Sequence, residues 1–379
     1  MNTIKHFLKW VETAKVSERA AAAAALARAY SQKQLAFEDR MAAEAALTLL
    51  LDDPSAKVRL ALSETLSLSR CAPAQVVAAL AADQPDVAAP VLVRSPLICD
   101  GDLVDRVAAG NPAVQAVVAG RPKVSMAVAA AIAEVGTAAA CLALAANDGA
   151  EIAALSFRRM IERHGEGAAL RRALAARRDL PPDCRHMLVV RVGEALSAAP
   201  LVLALMGPER AEKLAREACV TASITLIDAI DRREHGALVE HLRLRGDLTS
   251  RFLVRTVAHG KIDFFGAALV ALARQSEARV QALLKGGRQA ALTALLSRAG
   301  LEPVTHAPLL AALAMWREIA VGKRVAGPQE VSWHMLQTLE KAPAGRQADR
   351  EALAGLLKRI HLESLRENAR EQALALAAA

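Results

Sequence analysis

Residues 84–98 read "QPDVAAPVLVRSPLI", a stretch apolar enough for a protein core that nevertheless carries Pro85, Pro90 and Pro96. A helix interior excludes proline, because the ring removes an amide donor and collides with the carbonyl four residues back. A central β-strand excludes it as well, because the missing donor breaks the ladder. An apolar stretch with this proline spacing therefore predicts short helices that begin and end beside a proline.

Similar segments recur along the first half of the chain. They read "DDPSAKVRLALSETL", "DQPDVAAPVLVRSP", "GNPAVQAVVAGRP" and "NDGAEIAALSFRRM", beginning at Asp52, Asp83, Gly110 and Asn147. Each opens with Asp or Asn beside Pro or Gly and continues as a short apolar helix, with an aliphatic residue in a matching place: Val58, Val87, Val114 and Ile152. The starts are roughly 30 residues apart, a period typical of helical solenoid repeats. One helix pair cannot bury its apolar faces alone, so we expect the pairs to stack into a continuous core.

Local chemistry explains where the prolines fall. An Asp or Asn oxygen can accept from the free amides of a first helical turn, and proline in the first helical position loses no hydrogen bond. We predict this position for Pro54, Pro85 and Pro112.

Other prolines act at the opposite end of a helix. Pro96 and Pro122 are predicted to end theirs, because the residue before a proline is driven out of the α region. Pro90 is the exception, and we expect a bent or shortened helix there. Asp100 or Asp102 is the expected cap of the helix that follows.

The sequence thus predicts an all-α protein, a HEAT-like helical-repeat solenoid followed by a second helical region. Hydrophobic residues make up 54% of the chain and aromatic residues only 3%, which favours packed helices over a β-sandwich. The paired prolines of "DLPPDC", residues 179–184, resist helix and strand and mark a domain boundary. The predicted segments are N-terminal capping helices at 1–35, the solenoid at 36–180, a second helical domain at 185–345 and a long C-terminal helix at 346–379.

Both terminal helices have amphipathic patterns. In the first, one face holds Ile4, Phe7, Leu8 and Val11; this helix caps the first repeat or docks on a membrane or a partner. In the last, Arg359 and Glu363 are expected four residues apart on the outer face, and the inner face holds Leu353, Leu356, Leu357 and Ile360.

Two groups of segments resemble a known bacterial family, the domain of unknown function 2336. The first runs from Val58 to about Arg178 and includes "VRLALSETL", "VAAPVLVRSPLI" and "DLVDRVAAG"; the second, 251–301, includes "RFLVRTVAHGKIDFFGAALVALA" and "RVQALLKGGRQAALTALLSRAGL". The resemblance covers about two-thirds of the chain. It implies an all-helical protein whose front half is similar to HEAT repeats, and it implies no activity, ligand or catalytic residue.

The basic excess of the chain lies in its second half. The formal net charge is +8, with 8 Lys and Arg against 5 Asp and Glu in residues 151–190 and 9 against 3 in residues 241–290. An electrostatic partner of this protein is therefore expected to be acidic.

Targeting and redox signals are absent from the sequence. No apolar run is long enough for a transmembrane segment, and the N-terminus lacks the pattern of a secretion signal. The five cysteines are too far apart for a zinc knuckle or a redox motif,. We therefore expect a cytoplasmic protein with reduced cysteines and no bound metal.

Catalytic motifs are also missing. The sequence has no nucleophile elbow, no His-Glu-x-x-His helix, no phosphate-binding loop of the Walker type and no dinucleotide-binding turn. The nine histidines are scattered. We expect no catalytic residue, no cofactor and no enzymatic activity.

Two basic features are candidates for binding. In "LLKGGRQAALTALL", residues 283–296, the turn at Gly286 and Gly287 between Lys285 and Arg288 could aim amides at a phosphate or carboxylate. The alternative is a helix that stops at a left-handed glycine and restarts.

The second feature is a cationic stripe. Arg251, Arg255 and His259 share one face if residues 248–259 are helical,. The stripe could hold phosphates or an acidic protein, or it could be an ordinary solvated face. Further cations could extend it if the fold brings them near: Arg158, Arg159, Arg171 and Arg172.

Three functional hypotheses follow from these features. The favoured one is a non-enzymatic scaffold or regulatory adaptor that binds an acidic protein. The first alternative is a nucleic-acid-binding protein that uses the basic clusters at 151–190 and 241–290, although few aromatics are available to stack bases. The second is an anion or nucleotide sensor at the turn of Gly286 and Gly287.

Overall fold

The computed structural model describes residues 10, 13–32, 36–341 and 346–378. These residues form 22 α-helices and two short 3-10 turns, Leu50–Asp52 and Arg232–Glu234. No β-strand occurs in these ranges, only an isolated parallel bridge between Val124 and Ala150. The predicted all-α class is confirmed. The amphipathic face of Ile4, Phe7, Leu8 and Val11 lies outside the described residues.

The chain divides into two compact units, Met1–Cys184 (unit 1) and Arg185–Ala379 (unit 2). The helices that begin in unit 1 are α1 (Val16–Ser31), α2 (Phe37–Leu49), α3 (Ala56–Leu66), α4 (Ala74–Ala81), α5 (Pro85–Arg94), α6 (Asp100–Ala108), α7 (Pro112–Ala119), α8 (Met126–Val135), α9 (Ala138–Ala145), α10 (Ala154–His164), α11 (Ala168–Ala176) and α12 (Pro182–Ser197). Those of unit 2 are α13 (Pro200–Met206), α14 (Pro208–Ala229), α15 (His235–Arg245), α16 (Ser250–Ala258), α17 (Ile262–Ala273), α18 (Glu277–Gly286), α19 (Gln289–Arg298), α20 (Pro303–Ala320), α21 (Pro328–Lys341) and α22 (Gln347–Ala378).

Helices of unit 1 pack in two rows. In the first row α1, α3, α5, α7, α9 and α11 each contact the next member, and in the second row α6, α8 and α10 do the same. The rows contact each other through successive helices, for example α6 with α7 and α8 with α9. This arrangement is compatible with the predicted solenoid. Val58 and Val87 are buried at matching places in the first row.

Prolines begin and end these helices largely as predicted. Pro85 and Pro112 are the first residues of α5 and α7. The prediction for Pro54 is wrong: the Asp53 carboxylate accepts from the Ser55 amide at 2.8 Å, and α3 begins only after Ser55. Asp53, Pro54 and Ser55 therefore form a turn that precedes the helix.

The helix ends agree with the sequence better than the helix interior does. α5 ends before Pro96 and α7 before Pro122. Pro90 lies inside α5, which is not shortened: it has 10 residues against 8 in α4 and 9 in α6. The helix continues for four residues beyond this proline.

Two further sequence assignments are wrong. The N-cap of α6 is Cys99, while Asp100 and Asp102 lie in the first turn; Asp102 accepts from the Cys99 thiol at 3.1 Å. Ile152 does not match Val58, because it precedes α10 in a non-helical stretch and α10 belongs to the second row.

Guanidinium–carboxylate pairs link successive helices of the first row. Arg19 of α1 donates from two nitrogens to Asp53, at 2.8 and 3.0 Å. Arg59 of α3 donates in the same way to Asp83, at 2.6 and 3.0 Å. Each acid also accepts from the backbone amide just before the next helix, that of Ser55 or Gln84. The pairs therefore join one helix to the start of the next helix in its row.

Unit 2 is built around α16, which packs against α14, α17, α20, α21 and α22. All residues from Phe252 to Ala258 are buried. α22 contributes the apolar face that the sequence predicts, with Leu353, Leu356, Leu357 and Ile360 all buried. Gly246 ends α15 in the left-handed conformation at φ +77°, which favours glycine.

We predict that Asp83→Ala lowers the free energy of unfolding by about 1–3 kcal/mol, because Arg59 and the Gln84 amide lose a charged acceptor. The pKa of Asp83 is lowered, first of all by its hydrogen bonds with Arg59. Its contribution is therefore present above the unfolded-state pKa near 4 and lost as pH falls below it.

Urea unfolding at pH 7 and pH 3 measures this effect. Asp86→Ala is the matched control, since Asp86 is exposed in the first turn of the same helix and we expect it to cost less than about 1 kcal/mol. Equal losses in the two variants would contradict the prediction.

Candidate functional site

The predicted cationic stripe lies on α16, but it is not a solvated face. Arg251 is exposed, Arg255 is only 5% exposed, and His259 is half-buried. The prediction of one exposed cationic face is wrong because α16 is covered by five other helices. The apolar run around Arg255 is the sequence signal for a buried helix.

Arg255 makes two hydrogen bonds through one terminal nitrogen. Its Nη1 donates to Thr221 Oγ1 of α14 at 2.8 Å and to the Glu363 carboxylate of α22 at 3.0 Å. Its Nε is buried and has no hydrogen-bond partner in the described chain. A buried donor of a charged group without an acceptor is costly, so this guanidinium is incompletely satisfied by the protein.

A cavity of about 680 Å³ opens beside Arg255. Helices α12, α14, α15, α16 and α22 and the turn at residues 246–249 line it. Its apolar lining includes Val190, Val220, Leu242, Phe252 and Leu356, and its charged lining is Glu194, Glu212, Arg216, Glu217, Arg245, Asp247, Arg251, Arg255 and Arg359. The site therefore combines an apolar body with arginines, a lining suited to a ligand with both characters.

Ion pairs neutralise part of the charged lining. Arg359 of α22 contacts Glu217 of α14 at 3.0 Å, and Arg245 contacts Asp247 at 2.9 Å. Arg359 is exposed, as expected for the outer face of the last helix, and Glu363 is half-buried; Arg359 pairs with α14 and Glu363 with α16. Together these contacts attach α22 to the cavity wall.

Two arginines of the lining remain without an ion-pair partner in the part of the chain that is described. They are Arg216 on α14 and Arg251 on α16, and both are exposed. Arg251 lies one helical turn before Arg255. Among the lining acids, Glu194 pairs with Arg191, so Glu212 alone lacks a salt bridge among described residues. The unpaired lining thus carries one net positive charge.

Histidines beside these arginines are held neutral. His186 lines the cavity, and its Nδ1 lies 3.2 Å from Nε2 of His241. Burial, with a smaller effect of His241, lowers the pKa of His186 to about 4. Burial also lowers the pKa of His259 to about 4, helped by Arg255 and Lys261. The positive charge of the site at neutral pH therefore comes from arginine.

The turn at Gly286 and Gly287 has no left-handed glycine, so that feature of the alternative interpretation is wrong, and the anion site stays a prediction. Gly286 ends α18, Arg288 caps α19, and Gly287 has φ −65°; neither glycine is left-handed. Arg317 of α20 donates to the carbonyls of Leu283 and Leu284, at 2.7 and 2.6 Å. The helix end therefore holds a guanidinium of its own chain, and the side chains of Lys285 and Arg288 are exposed.

The remaining predicted cations belong to unit 1. Arg158 contacts Asp183 at 2.6 Å and Arg159 contacts Glu134 at 2.8 Å. Arg171 donates to the carbonyls of Gly165 and Glu166, while Arg172 is exposed. Most of this basic cluster is thus engaged in internal contacts.

Metal and thiol chemistry have no visible constellation in the described ranges. No group of three or more His, Cys, Asp or Glu residues there is arranged to hold a metal ion. The five cysteines are free, and burial raises the pKa of Cys141 to about 11 and of Cys184 to about 12. A thiol with a raised pKa is a poor nucleophile at neutral pH.

The described helices are short or only moderately apolar for a membrane span. No single one is long and apolar enough to cross a membrane; α12 and α13, bent by 62° at their junction, pass the test only as a pair. α13 is the more exposed of the two, with no buried residue.

Fold and cavity define an all-helical protein with an apolar cavity edged by arginine. Residues 87–349 match the model of a family described as an uncharacterised protein conserved in bacteria, DUF2336. The chain belongs to this family, and the resemblance expected from the sequence is confirmed. No curated protein and no solved structure matches the chain.

We predict that His259→Gln makes stability less sensitive to acid. With a folded pKa of about 4 and an unfolded pKa near 6.5, His259 takes up its proton only on unfolding between these values. Wild-type stability therefore falls as pH drops from 6.5 to 4, by up to about 1.4 kcal/mol per pH unit from this group.

Urea unfolding across pH 4.5–8.5 measures the difference between the two proteins. Above pH 7.5 their stabilities should run parallel, because neither state is protonated at His259, which provides the internal control. Parallel curves below pH 6 as well would show that the prediction is wrong.

Proposed function

We propose that this protein is a non-enzymatic scaffold or regulatory adaptor that binds an acidic protein partner. The observation that carries the proposal is α13, whose sequence is PLVLALM and which has no buried residue. Leu201 and Leu205, four residues apart, are 71% and 75% exposed. They share one face of the helix, and that face is apolar.

A short helix with an exposed apolar face is stabilised when a partner surface buries that face. Seven residues are too few for a stable helix in water, and exposed apolar side chains in one place are typical of interaction sites. The neighbouring helices extend the exposed apolar surface, with Leu196 of α12 and Leu214 of α14. A partner that buries Leu201 and Leu205 would stabilise α13, because apolar surface of both proteins would be removed from water.

Charge supports an acidic partner. Residues 185–379 contain 27 Lys and Arg against 20 Asp and Glu, whereas residues 1–184 contain 21 against 20. Almost all of the net charge therefore belongs to the unit that exposes α13. Complementary charge raises the rate of encounter and excludes partners of like charge.

Other binding roles have less support. Helix α13 is only about 10 Å long, which leaves little apolar helix for a membrane surface to bury. Nucleic acid would need available cations, and Arg158 and Arg159 are engaged in salt bridges. The rows of short helices in unit 1 suit a protein that binds through an extended surface.

The proposal predicts that Leu201→Glu with Leu205→Glu abolishes capture of an acidic protein from a lysate of the native host. The control is Leu374→Glu with Leu376→Glu, because those side chains lie on α22 and are 70% and 81% exposed. Affinity capture with crosslinking and mass spectrometry compares the wild type with both variants.

The expected result is an acidic protein recovered by the wild type and by the α22 variant and lost by the α13 variant. The proposal fails if no protein distinguishes the two variants. It also fails if α13 instead carries the wild type onto phospholipid vesicles in a flotation assay. Circular dichroism checks that both variants keep their helix content.

A further inference from the structure

We propose that the cavity of unit 2 binds a small organic monocarboxylate, with its carboxylate at Arg251 and Arg255 and its apolar body against Val220, Phe252 and Leu356. This goes beyond the proposed adaptor role and does not depend on it, since α13 does not line the cavity. Four observations support it: the unpartnered donor of Arg255, the net charge of the unpaired lining residues, the apolar lining of the cavity and the volume of the cavity.

The buried donor is Nε of Arg255. The residue is 95% buried, because only 5% of it is exposed, and Nη1 is already satisfied by Thr221 and Glu363. Nε has no acceptor in the described chain. Guanidinium binds carboxylate through paired N–H groups. Nε itself is covered by protein atoms, but Arg255 lines the cavity, so a carboxylate that enters there meets a guanidinium whose hydrogen bonds the protein satisfies only in part.

Local charge selects a monoanion. Arg251 and Arg216 lack salt-bridge partners in the described ranges, and Glu212 is the one lining acid there that lacks one. The Arg255–Glu363 pair adds no net charge. The unpaired lining is therefore +1, which one carboxylate neutralises, whereas a phosphate monoester near −2 would leave an excess of negative charge.

Lining and volume select a ligand with an apolar body. Aliphatic and aromatic side chains from five helices line the cavity: Val190, Val220, Leu242, Phe252 and Leu356. The volume of about 680 Å³ falls within the range of about 300–1,000 Å³ typical of small-molecule sites. A bare inorganic anion would leave this apolar surface wet, while an aliphatic or aromatic carboxylate covers it.

The test uses two probes of known chemistry. 8-Anilinonaphthalene-1-sulfonate, a fluorescent organic anion, occupies the cavity, and sodium octanoate displaces it. Octylamine has the same chain with the opposite charge, and inorganic phosphate has charge without a chain. We expect displacement by octanoate and by neither of the other two at equal concentration and ionic strength.

Substitutions locate the binding. Arg251→Gln and Arg216→Gln should each weaken octanoate about tenfold, because each removes a charged donor or its field. Arg279→Gln is the matched control, since Arg279 is exposed on α18, does not line the cavity and loses the same charge. The double variant of Leu201 and Leu205 should bind octanoate normally, which separates this site from the adaptor surface.

Several results would overturn the proposal. Unchanged fluorescence on adding octanoate, or equal octanoate binding by Arg251→Gln and Arg279→Gln, excludes a site at these arginines. Displacement of the fluorescent probe by octylamine shows that the site does not select a negative charge. Displacement by phosphate but not by octanoate shows that the apolar lining does not bind the ligand. Circular dichroism confirms folding of each variant, and both targeted arginines are exposed, so loss of binding reports on the site.

Discussion

Short helices of Ala, Leu and Val cannot be stable alone, and this constraint explains most of the structure. Helices of 8 to 11 residues make up most of unit 1 from α3 onward, below the length at which an isolated helix persists in water. Each must therefore be covered by its neighbours. The two rows of unit 1 satisfy this requirement, because nearly every helix contacts the next member of its own row and a member of the other.

The same requirement places charge inside unit 2. The short central helix α16 packs against five others, so Arg251 in its first turn is exposed whereas Arg255, one turn later, is buried with Thr221 and Glu363. These partners come from α14 and α22, far apart in sequence. The arginine thereby joins three helices at the wall of a cavity, and its remaining unsatisfied donor gives that cavity a chemical preference.

Charge plays different parts in the two units. In unit 1 the pairs of Arg19 with Asp53 and Arg59 with Asp83 connect consecutive helices of a row, so these charges contribute to architecture. In unit 2 two arginines beside the cavity have no salt bridge among the described residues, and the unit carries nearly all of the net charge. The binding roles that we propose both belong to the second unit for this reason.

Much of the fold could be predicted from local chemistry. Proline and glycine positions, apolar spacing and the scarcity of aromatics indicate the all-helical class and many helix ends, because these depend on neighbouring residues, while the family follows from the resemblance of whole segments. The positions of Pro54 and Ile152 were misread, since a competing turn at Asp53 and a bridge at Val124 and Ala150 shift the helix starts.

The candidate site could be predicted only in part. Helical spacing placed Arg251, Arg255 and His259 on one face, but exposure depends on which helices cover that face, and those come from residues 208–378. The carbonyl of Gly287 accepts from Arg317, which lies 30 residues further along the chain. Local sequence around the turn does not reveal that contact. Backbone preferences are local and can be read along the chain, whereas burial and pairing of charges are set by packing between distant segments.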